Sequence, residues 1–117
     1  MNDLITYSQL LPYFDNESFV IKTQQQIAKD FAKFDLKFDE NFAYDPLTKE
    51  GIESLISERV ADLMKHSETR LLQLLYTIDL PEKEFLELTT QPDFLLELSR
   101  KILLREAYKV FLRSRFS

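Results

Sequence analysis

Residues 45–79 read DPLTKEGIESLISERVADLMKHSETRLLQLLYTID, and the other segments are sized to pack on this stretch. Apolar residues recur at Ile52, Leu55, Ile56, Val60, Leu63, Met64, Leu71, Leu72, Leu74, Leu75 and Ile78. The steps are threes and fours, which is one stripe of a 3.6-residue period and predicts helix. Asp45 offers an N-cap carboxylate, and Pro46 suits the first helical position, where its missing N–H has no partner to lose. Glu50 and Glu53 then stand near the positive end of the helix dipole. One interruption, Lys65-His66-Ser67-Glu68-Thr69-Arg70, contains no apolar residue. Either the helix runs through with Ser67 bonding back to a carbonyl one turn earlier, or it breaks and Ser67 caps a second helix. None of the six residues is a helix breaker, so the continuous helix is the expectation. At the far end, Asp79-Leu80-Pro81-Glu82 has capping-box spacing, and Asp79 is expected to end this stretch and cap the next.

Working outward, Asn2 to Leu11 predicts a short helix stopped by Pro12, with Tyr13 and Phe14 as aromatic plugs on the core. Asp15 or Asn16 caps a helix to about Phe34, whose seam reads Val20, Gln24, Ile27, Phe31, Phe34 and Phe38, close to a heptad. Gln24, the polar member, is expected at the solvated edge of that stripe. Asp35 to Tyr44 reads as a loop anchored by Phe38, Phe42 and Tyr44. Its acids do not make a calcium loop: counting from Asp35, the third position is Lys37 and the obligatory Gly position is Glu40. A short helix follows at about Pro81 to Leu88. Thr90-Gln91-Pro92-Asp93 is a second capping-box-like start, and a final helix follows from about Pro92 to Arg115, whose apolar residues are too broadly spread for one face. Such a helix packs on two sides, either centrally in a bundle or against a second copy.

Composition sets the outer bounds. The chain has 117 residues, 44% hydrophobic and 30% charged, which suits a single globular helical domain over 1–117. One Gly cannot supply the tight turns of a multi-stranded sheet. The absence of cysteine excludes disulfides, thiolate metal sites and cysteine nucleophiles. The N-terminus lacks the basic and apolar regions of a signal peptide, and no window approaches a membrane span, so a cytoplasmic location is expected. The net charge of −5 hides an asymmetry: residues 1–99 hold nine Lys+Arg against nineteen Asp+Glu, whereas residues 100–117 hold six against one. An acidic body carries a basic terminal helix.

Catalytic chemistry finds little support. His66 is the only histidine, with Asp62 one turn before it and Arg70 one turn after. No serine elbow accompanies it, two ligands do not hold a metal, and a di-iron bundle needs a second histidine. An exposed Asp–His–Arg ladder is the expectation. The carboxylates Asp39, Glu40, Glu82, Glu84 and Glu87 stand among other charges in expected turns, without the burial that acid–base work requires. No phosphate-cradling Gly loop is present. Lys101, Arg105, Lys109 and Arg113 recur every four residues along one slowly turning face, with Tyr108 and Phe116 nearby, and are the candidate residues for binding an anion or a partner. Two other roles compete for them: complementing the negative end of the helix dipole, and pairing with the acidic body of the same or a neighbouring subunit. Overall acidity argues against tight nucleic-acid binding.

The expected fold is all-α: a compact bundle of three long helices plus one or two short ones. The expected function is a non-enzymatic protein-interaction or regulatory module that self-associates as a homodimer or takes a protein partner, with no cofactor and no metal. Binding of nucleic acid or an anionic surface through the basic terminal helix is the alternative.

Overall fold

Asn16 starts the first long helix as its side-chain oxygen accepts from the Phe19 N–H at 3.0 Å, one of the two caps expected there. The computed structural model describes residues 7–116, and positions 2–6 of the expected first helix lie outside them. In order the elements are α1 (Tyr7–Leu10), a 3-10 turn (Leu11–Asp15), α2 (Glu17–Ala32), a second 3-10 turn (Glu40–Ala43), α3 (Lys49–His66), α4 (Glu68–Thr77), α5 (Glu82–Leu88) and α6 (Phe94–Phe116). The described residues contain no strand, and the architecture is an all-α bundle. Its Cα radius of gyration is 13.6 Å, against roughly 13 Å for a compact chain of this length.

The central stretch breaks. Ser67 leaves helical geometry at φ −166° and ψ 102°, and its hydroxyl accepts from the Arg70 N–H at 3.2 Å. It therefore caps α4 instead of bonding back within one long helix. The break lets two apolar faces point in different directions: Ile52, Ile56, Val60 and Leu63 on α3, and Leu71, Leu74 and Leu75 on α4, are all buried. Both ends of the stretch also differ from expectation. Thr48, not Asp45, caps α3, its hydroxyl accepting from the Gly51 N–H at 3.0 Å. Asp79 ends α4 with a left-handed backbone, φ 65°, and does not cap α5, whose cap position is Pro81. The Leu80 N–H returns to the Leu75 carbonyl at 2.8 Å and the Asp79 N–H to Tyr76 at 3.1 Å, the paired closing bonds of a Schellman turn. That turn carries Leu80 back into the core at 3% exposure. Asp35 (φ 61°) closes α2 in the same way, and Leu36 is the buried residue it delivers.

Gln24 overturns its expected place at the solvated edge. It is fully buried; its amide donates to the carbonyls of Phe42 and Asp45 at 2.5 and 2.9 Å, and its oxygen accepts from the Leu47 N–H at 2.8 Å. One side chain thus satisfies three backbone groups of the connection into α3, which would otherwise be desolvated without partners. This holds residues 45–47 outside the helix, so α3 starts at Lys49. Phe38 and Phe42 stack at 4.2 Å between centroids and anchor the connection as expected, but Tyr44 is 71% exposed and anchors nothing there.

The breadth of the apolar stripe on α6 is explained by its position. It contacts α1, α2, α3 and α5, most extensively α3, and buries Leu98, Ile102, Leu103, Ala107 and Val110. Small residues mark the α3–α6 crossing: the hydroxyls of Ser57 and Ser99 lie 2.6 Å apart, and Ser99 also donates to the Leu95 carbonyl. Thr90 donates its hydroxyl to Glu87 and so closes α5; α6 begins later than expected, at Phe94. No helix among the described residues is long and apolar enough to cross a membrane.

Candidate functional site

An α-helix turns 400° in four residues, so side chains spaced by four drift about 40° per step around the axis. The four cations of α6 drift accordingly, and the structure does not gather them on one surface. Lys101 faces α5, its Nζ 3.4 Å from Glu84. Arg105 lies 4.0 Å from Asp79 after α4, with its guanidinium over the Tyr108 ring. Lys109 turns inward to α2, where its Nζ donates to Asp30 at 2.9 Å. Arg113 reaches the middle of α2 and donates to the amide oxygen of the half-buried Gln26. Pairing with the acidic body of the same chain is therefore what the basic stripe does at three of its four positions.

Lys109 belongs to a buried polar cluster absent from the sequence-based expectations. Asp30 is 2% exposed and Glu106 fully buried, the one packed by α2 and the other by α6. The Lys109 Nζ stands 2.9 Å from Asp30 and 3.5 Å from Glu106, and donates to the Thr77 carbonyl. The Gln26 amide adds a hydrogen bond to Asp30 at 3.1 Å. Two carboxylates beside one ammonium cannot both stay ionised at low cost. Burial, and then the neighbouring Asp30, push Glu106 up to about 9. Burial works against the Asp30 charge as well, but hydrogen bonds from Glu106, Lys109 and Gln26 outweigh it and hold its pKa below the ordinary value. The proton settles a stereochemical question too. An ionised Glu106 has only the Lys109 ammonium at 3.5 Å and no close hydrogen bond, whereas a proton on Glu106 can be shared with the neighbouring Asp30. The signal was present in the sequence, since Glu106 stands four residues after Ile102 and four before Val110, within the buried stripe.

Arg113 opens onto a cleft of about 370 Å³ between α2 and the last turns of α6, lined also by Lys22, Gln25, Gln26, Lys29 and Val110. A second cleft of similar volume, between α5 and α6, is lined by Glu84, Glu87, Asp93 and Glu97 with Lys101 at its edge. The two clefts have opposite charge. His66 is exposed, with Nδ1 2.8 Å from the Asp62 carbonyl oxygen and 3.5 Å from its carboxylate. Arg70 pairs with Asp35 at 3.7 Å, so the expected ladder lacks its second rung. No group of three His, Asp or Glu side chains among the described residues could hold a metal ion.

The outward side of α6, opposite its buried stripe, carries Glu97, Lys101, Leu104, Tyr108 and Leu112, all half-buried, and the exposed Arg115. Their spacing is four, three, four, four and three, which keeps them on one face. Comparison with family models, curated proteins and solved structures returns no match, so the chemistry of these surfaces carries the functional reading.

Proposed function

We propose that this chain is a non-enzymatic interaction module that pairs with a second copy of itself through the outward face of α6. The observation that carries the reading is the order of residues on that face. An acid, Glu97, which also accepts from Arg100 at 3.0 Å, stands at one end, a base, Arg115, at the other, and Lys101, Leu104, Tyr108 and Leu112 lie between. Positions 97 and 115 are equidistant from 106, as are 104 and 108. Antiparallel two-fold pairing about residue 106 therefore sets Glu97 against the second copy's Arg115 and Leu104 against its Tyr108. Such an interface is isologous and closes at two subunits. The apolar centre supplies area, and the end charges set direction. Binding through Lys101, Arg105, Lys109 and Arg113 to nucleic acid or an anionic surface has less support, because three of these cations already face carboxylates of their own chain.

Sedimentation equilibrium tests the reading. The expected species has twice the 13.9 kDa mass of the chain at about 50 µM, a concentration at which a dimer of micromolar Kd predominates. Leu104→Glu together with Leu112→Glu, on the outward face, is expected to give a folded monomer by circular dichroism. A wild-type monomer at that concentration, or a dimer untouched by the double substitution, refutes it.

A further inference from the structure

Lys22, Gln25, Gln26 and Lys29 follow one another on a single face of α2, at steps of three, one and three. The α2–α6 cleft takes this face as one wall and Arg113 as the other. In a chain with five excess negative charges, the lining of this cleft holds three cations and no carboxylate. Lys22 and Lys29 are exposed and pair with no acid among the described residues. They stand seven residues apart, about 10 Å along the helix axis, close enough for two long, flexible side chains to converge on one group between them. Arg113 is held by its bond to the Gln26 amide oxygen, which engages one of the five N–H donors of a guanidinium and leaves others free.

The wall behind the cleft does not oppose an anion. Asp30, hydrogen-bonded to the Gln26 that lines the cleft, is 2% exposed and answered by Lys109 at 2.9 Å and Lys33 at 3.6 Å. Glu106, deeper still, keeps its proton to about pH 9 and adds no second negative charge at neutral pH. A site with one planar fork and two point charges favours a multivalent oxyanion over chloride or a single carboxylate. The cleft volume falls in the small-molecule range.

We infer that the α2–α6 cleft, through Lys22, Lys29 and Arg113, binds a phosphate or diphosphate group of a soluble phosphorylated compound or a lipid headgroup. This site is distinct from the outward face of α6 and stands or falls separately from self-association.

The test is a titration of uniformly 15N-labelled chain with inorganic pyrophosphate at constant ionic strength, beside co-sedimentation with phosphatidylcholine vesicles with and without phosphatidic acid. Saturable shifts confined to residues 22–29 and 110–115 are expected. Lys29→Glu and Arg113→Gln, both at exposed positions, are each expected to weaken binding roughly fivefold to tenfold while leaving the circular dichroism unchanged. Saturation by pyrophosphate assigns a soluble ligand. Sedimentation only with phosphatidic acid, lost in Lys29→Glu, assigns a headgroup. No response in either arm, or binding unaltered by both substitutions, overturns the inference.

Discussion

Replacing Glu106 with Gln removes a buried carboxyl whose protonated form the fold favours at neutral pH. In the unfolded chain Glu106 ionises near its ordinary 4.5; in the folded chain it holds its proton to about 9. The folded state therefore binds more protons across that window. Stability attributable to this group is complete below pH 4.5 and falls as pH rises to about 9, by about 1.4 kcal/mol per pH unit. At pH 7 the accumulated cost is about 3 kcal/mol, a large part of the roughly 5–15 kcal/mol that holds a chain of this size together. Glutamine has the same shape, never ionises, and can donate its amide N–H to Asp30 as the protonated acid does. Glu106→Gln is thus expected to stabilise the chain, by under about 1 kcal/mol at pH 5 and by about 3 kcal/mol at pH 7. Urea unfolding of both proteins at pH 5, 6, 7 and 8 measures the difference directly, with equal m-values as the check that only stability has changed. A difference that stays constant with pH, or a Gln variant less stable than wild type at pH 7, refutes a protonated Glu106.

The partner groups give further expectations. Lys109→Met leaves the buried Asp30 carboxylate with only the exposed Lys33 at 3.6 Å and is expected to cost about 3 kcal/mol in urea unfolding, much of it recovered by adding Asp30→Asn. Because the Asp30 pKa is lowered in the fold, its contribution is present above the ordinary 3.8 and lost as pH falls through the folded value; acid unfolding of Asp30→Asn should be less steep in that range. Gln24→Leu keeps the volume but strands the buried Phe42 carbonyl and two partly buried backbone groups, for an expected loss of about 3 kcal/mol in thermal or urea unfolding. Ser67→Ala removes the cap of α4 and is expected to cost about 1 kcal/mol, with no change in m-value.

Periodicity carried the fold a long way. The seam Val20, Ile27 and Phe31, the Asn16 cap and the over-broad stripe of α6 all emerge from local spacing, and the all-α architecture follows. What remained hidden depends on groups distant in the chain. Ser67 uses the same hydroxyl to cap a helix as to bond back within one; the choice falls to whether Leu71, Leu74 and Leu75 find a core in line with α3, which no local pattern states. Gln24 is a buried connector only because residues 42, 45 and 47 present unpaired backbone groups to it. Asp79 takes a left-handed backbone because Leu80 is drawn inward, a demand invisible in a capping-box spacing that fits equally well. The cations of α6 were legible as a stripe, but the 40° drift per step distributes them over three neighbours. Lys101 borders the acidic cleft, and Arg113 reaches the basic one, beside Lys22 and Lys29 that sequence spacing alone did not single out. Glu106 was legible by register alone, standing between Ile102 and Val110 at steps of four.

The central place of α6 also has a meaning for how the chain is made. The helices α1, α2, α3 and α5 pack on it, α4 meets it through the Lys109 bond to Thr77, and all of them precede it in sequence. A ribosome adding roughly 5–20 residues per second therefore exposes the apolar faces of α1, α2, α3 and α5 for seconds before the surface they share has emerged. Folding on this timetable is completed late and cooperatively, with pairings as far apart as Asp30 and Lys109 closing near the end.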